Sequence, residues 1–141
     1  MSKSRRLKRI IRLKERVRDL RQSALRDAQE RAQEAESFAS ETEAAFDAAA
    51  AKMQREPEQQ GAELESWSQV LHRQRETMQI AAMLASQRRS AEAQLREEYQ
   101  RSSLELRALE RREEELRAEE TRLERRREEA TIDEAASRGK R

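Results

Sequence analysis

Residues that stop a helix are nearly missing from this chain, and their position decides what it can fold into. The one proline, Pro57, and one of two glycines, Gly61, lie together in the stretch EPEQQG; the other glycine is Gly139. Proline lacks an N–H, collides with the carbonyl four residues back and pushes the residue before it out of the helical region. A long run of helix formers is therefore split once, and the two parts are free to fold back on each other.

Composition rules out an ordinary globular core, since 43% of the 141 residues are charged, 35% are hydrophobic and only four (two Phe, one Trp, one Tyr) are aromatic. Ala, Glu, Arg, Gln and Leu dominate, which with a 3.5 to 3.6 period marks long helices or coiled coil. With no cysteine, disulfides and thiolate metal sites are excluded. The basic start MSKSRRLKRIIRLKERVRDL has no continuous apolar stretch of the kind a signal peptide needs. Nor does any window reach the roughly 20 apolar residues of a membrane span. A cytoplasmic protein with no membrane span is expected.

Both parts carry helical stripes. In the first, Ile10, Leu13, Val17, Leu20, Ala24, Ala28, Ala32, Ala35, Ala39, Thr42, Phe46, Ala49 and Met53 follow steps of three or four. The run of fours from Leu20 to Ala32 reads as a stutter that locally unwinds a supercoil. In the second, Trp67, Leu71, Met78, Ala81, Ala85, Leu95, Tyr99, Ser102, Leu106 and Leu109 continue the pattern across polar gaps at Gln74 and Arg88. A seven-residue row then runs from Ser102 through Leu109, Leu116, Leu123 and Ala130. Its companion row turns polar after Leu106, at Glu113, Glu120 and Arg127.

The expected fold is all-α, a long two-helix antiparallel coiled-coil hairpin. Arm one covers about 4–54, the bend about 55–62 and arm two about 63–132, with 135–141 a disordered tail. With the bend centred near 57–59, paired residue numbers add to about 115, placing Ile10 beside about residue 105. Arm one then runs out near 112, and ELRAEETRLERRREEATIDE protrudes as a single helix supported by Glu–Arg pairs three and four apart.

No enzyme is expected. His72 is the one histidine, no Gly-rich phosphate loop or hydrolase motif accompanies it, and carboxylates on solvated helices have no pocket to perturb them. Neither cofactor nor metal is expected. Charge is unevenly spread: residues 1–21 hold ten Lys or Arg against Glu15 and Asp19, while 27–65 hold eleven acids against Arg31, Lys52 and Arg55. The basic start suits phosphate backbones, acidic membranes or acidic proteins, or is a solvated face, though no aromatic is interleaved as single-stranded nucleic acid would favour. In WSQVLHRQRETMQIAAML, Trp67, Leu71, Gln74 and Met78 share one stripe at i, i+4, i+7 and i+11, either seam residues or a docking face.

This arrangement of basic start, Ala- and Glu-rich first arm, central break and longer Arg- and Glu-rich second arm resembles the central stalk family of type III protein export, the FliJ and YscO group. The resemblance covers essentially the whole chain. It implies a non-enzymatic stalk that inserts the end bearing both termini into the export ATPase hexamer and reaches the export gate membrane protein with the other end. Some members also bind export chaperones. Arg5, Arg6, Lys8, Arg9 and Arg12, with Leu116 and Leu123, would then face the ATPase ring, and Trp67, Leu71, Gln74 and Met78 the gate. The expected location is cytoplasmic, peripheral to the inner-membrane export apparatus. The alternatives are a structural or scaffolding coiled coil, or a binder of nucleic acid or another acidic surface through the basic helix.

Overall fold

The computed structural model describes residues 2–55 and 62–139. They form two helices, α1 (Lys3–Arg55) and α2 (Ala62–Gly139), packed antiparallel as a hairpin, with no strand among the described residues. Pro57 and Gly61 lie outside those residues, and the helices flanking them end at Arg55 and begin at Ala62.

At its start α1 is capped by Ser2, whose Oγ accepts the N–H of Arg5 at 3.2 Å and whose carbonyl accepts that of Arg6 at 3.2 Å. At its far end α2 runs past the expected limit near 132 and takes in 135–139, in place of the expected disordered tail; residues 140 and 141 lie outside the described residues. Glu134, Ala135 and Ala136 are good helix formers, and no proline or glycine lies between Ala62 and Gly139.

The hairpin divides into two compact units, one of Met1–Leu20 with Tyr99–Arg141 and one of Arg21–Glu98. In the first, Ile11 and Leu106 are the buried apolar residues, with Ser4, Ser102 and Glu113 buried beside them in the fold. Leu7, Tyr99, Leu109 and Leu116 are half-buried around this seam. Lys14 Nζ lies 3.7 Å from Glu105 Oε2, which marks the register of this unit. The sequence-based register would put Lys14 near residue 101, so the arms are displaced by about one helical turn.

In the second unit Leu25, Ala32, Ala35 and Ala81 form the core. Ala81 is fully buried. Small side chains there let the helices approach closely, so the alanines are the contact itself. Glu36 pairs with Arg89, and the Arg75 guanidinium lies 5.6 Å from the centre of the Phe46 ring.

The seam of α1 is a strict seven-residue row. Its members are Ser4, Ile11 and Arg18 in the first unit and Leu25, Ala32, Ala39, Phe46 and Met53 in the second, all buried or half-buried. This corrects the stripe expected at the start of α1. Ile10, Leu13, Val17 and Leu20 are exposed, and there is no stutter. The helix keeps the heptad phase set by Leu25 and the alanines, at the cost of leaving four larger apolar side chains outside. Arg18 occupies a seam position half-buried, which its long aliphatic stem permits.

Candidate functional site

A run of cations at a helix N-terminus opposes the positive end of the helix dipole, and α1 has no acid in its first turn to offset this. Helix α2 supplies the acids. Ser4 Oγ donates to Glu113 Oε1 at 3.0 Å, and Lys8 Nζ lies 3.7 Å from the same oxygen. The Ser4 N–H, one of the donors a helix leaves unsatisfied at its start, reaches Glu120 Oε1 at 3.4 Å. Glu113 is buried, so its carboxylate is held by a hydroxyl and an ammonium in place of water. The polar turn in the second row of α2 thus has a local cause: Glu113 and Glu120 meet the capped end of α1. Sequence reading found the change of row but not its role. The signal was available in two seam-position acids aligned with an N-terminus that has none.

Arg5, Arg6, Arg9 and Arg12 are exposed around this end, as is Lys8 apart from its bond to Glu113. Leu116 is half-buried, the last leucine of the row to be covered, and Leu123 is 52% exposed. From Thr121 to Gly139 every residue is exposed and helical. The protruding helix therefore begins at 121, a little later than expected, in keeping with the shifted register. Its 19 residues extend about 28 Å. This first unit brings together the exposed arginines and the unpaired helix that carries Leu123.

The second cluster is placed differently. Trp67, Leu71, Gln74 and Met78 are all half-buried in the second unit, on the α2 row that continues through fully buried Ala81. Their spacing is that of the seam, so the stripe is an inner face shared with α1, which corrects its reading as a docking face. Lys52 Nζ lies 5.5 Å from the centre of the Trp67 ring, covering it from α1. Phe46, Ala50, Met53, Ser68 and Leu71 line an open groove of about 410 Å³, where Ala-rich α1 fails to fill the space beside α2. Val70, Ile80, Met83 and Leu84 are the exposed large apolar residues of this stretch. His72 is exposed and pairs with Glu76 one turn on, at 3.1 Å.

Among the described residues no group of three or more His, Cys, Asp or Glu side chains could hold a metal ion. None of the helices is long and apolar enough to cross a membrane. No protein-family model, curated protein or solved structure matches the chain.

Proposed function

We propose that this protein is the non-enzymatic central stalk of a type III protein export apparatus, inserting its termini-bearing end into the ring of the export ATPase and linking it to the export gate. The observation that carries this reading is the pairing, within one unit, of exposed Arg5, Arg6, Arg9 and Arg12 with a helix that continues from Thr121 to Gly139 without a partner. A rod that works inside a ring has to touch several subunits in turn without locking to one. Solvated charges suit that task, because each exposed ion pair is worth at most about 1 kcal/mol and is screened by salt. Leu116 and Leu123 would sit at the ring-facing end. The gate-facing candidates move from the covered stripe of Trp67, Leu71, Gln74 and Met78 to the exposed Val70, Ile80 and Met83 beside it. Export chaperones are further candidate partners, and the working location is the cytoplasmic side of the inner membrane.

The test is ATP hydrolysis by the cognate export ATPase with and without the purified chain. Stimulation and hexamer formation are expected, and both should fall when Arg5, Arg6, Arg9 and Arg12 are changed to Glu. Unchanged hydrolysis with wild-type protein would leave the scaffolding reading ahead. Salt-sensitive binding to duplex DNA with no effect on the ATPase would favour the acidic-surface binder, which the same exposed arginines support.

A further inference from the structure

Because the seam of α1 follows the Ile11 frame, a second apolar row is left on the outside of the same helix. Ile10 and Val17 are 46% and 39% exposed, and Leu13 and Leu20 are 61% and 71% exposed. Their spacing of three, four and three is that of a coiled-coil seam, with β-branched residues in one row and leucines in the other, the division that two-stranded coils use. The positions flanking such a seam are Arg9, Lys14, Arg16 and Arg21, all cationic; the first three are exposed, and Arg21 is half-buried with its guanidinium donating to the Glu98 carbonyl at 3.5 Å. Lys14 also reaches Glu105 at 3.7 Å, but both side chains are about half-exposed, so that bond competes weakly with a closer acid.

We propose that this face of α1 docks an acidic amphipathic helix of a partner protein. The partner's apolar row closes on Ile10, Leu13, Val17 and Leu20, and its carboxylates face Arg9, Lys14 and Arg16. Charge selects this occupant. Two copies of the face would bring cations against cations at every flank, which disfavours self-pairing. The apolar strip is two rows wide and has no aromatic residue, whereas helices that lie in a lipid interface present a broad apolar face with Trp or Phe. The proposal is independent of the export-stalk reading, since it rests on which frame of α1 the hairpin uses.

The probe is a synthetic four-heptad peptide with Ile and Leu in its core rows and Glu at every flanking position. Titrated against the full chain by fluorescence anisotropy, it should bind saturably. Leu13→Ser with Leu20→Ser should weaken binding by about tenfold or more, as should Arg9→Glu with Arg16→Glu. Circular dichroism should show both variants as helical as wild type, because the substituted residues are exposed. Leu104→Ser, an equally exposed leucine on α2, should leave binding unchanged. Absence of binding, equal binding of a peptide with Lys at the same flanks, or undiminished binding by both variants overturns the proposal. So does Leu13- and Leu20-dependent uptake onto phosphatidylserine vesicles when the peptide does not bind, which identifies a membrane surface. Dimerisation that the Leu13→Ser, Leu20→Ser variant abolishes overturns it in favour of a second copy.

Discussion

Among the described residues Leu106 is the one large side chain hidden almost completely, at 2% exposure, while Leu123, in the neighbouring heptad row of α2, is 52% exposed. Trimming a buried leucine loses its transfer free energy and leaves a cavity, so Leu106→Ala should cost about 2–5 kcal/mol in urea denaturation followed by circular dichroism. Leu123→Ala should stay within about 0.5 kcal/mol. Ala81 tests the opposite error. Its side chain has no exposed surface, and Ala81→Leu should destabilise by about 1–3 kcal/mol by forcing the helices of its unit apart. Glu113 links packing to capping: Glu113→Ala strips the buried Ser4 hydroxyl of its acceptor and Lys8 of its counter-ion. A loss of about 1–3 kcal/mol is expected, with faster hydrogen exchange at the amides of Arg5 and Arg6 as its local signature.

At the level of the helix, the middle of α2 and its C-terminal end gain their order from different sources. Ser102, Leu106 and Glu113 are held by tertiary burial, whereas Thr121–Gly139 is exposed throughout and relies on helix propensity. Amides in 121–139 should therefore exchange far faster than those near Leu106. Truncation after Glu120 should leave the unfolding midpoint of the hairpin within about 2 °C in a thermal scan, because no packing free energy is removed. Much of this was legible beforehand. The α2 row through Ser102, Leu109 and Leu116 stands as read, as does the α1 row from Ala28 to Met53, because outside those frames each stretch has a single large apolar residue, Leu104 and Phe38, and no competing row. The first 25 residues misled because they hold two apolar frames, Ile10–Leu13–Val17–Leu20 and Leu7–Ile11–Leu25, and the first has more large side chains. Phase continuity with Leu25 and Ala32 decides between them, and that is a property of the whole helix. The stripe at Trp67 was open between seam and docking face for a related reason: inner and outer stripes share one spacing, and only the register of the opposite helix separates them.

For the molecule as a whole, the register is the property most open to test. Cysteines at 14 and 105, bridged by a short bismaleimide, should link within one chain, following the ion pair between Lys14 and Glu105, while a pair at 14 and 98 should not. Links formed chiefly between chains would indicate a dimer in place of a hairpin. The contact between Ser4 and Glu113 joins residues 109 positions apart. A ribosome adds about 5–20 residues per second. The basic start of α1 thus emerges seconds before the acids that hold its first turn exist. During that interval its cations and both apolar frames face solvent without their intramolecular partner. A factor that engages the nascent chain therefore meets a different surface from the one the finished protein presents, until Glu113 and Glu120 leave the ribosome and reach the first turn of α1.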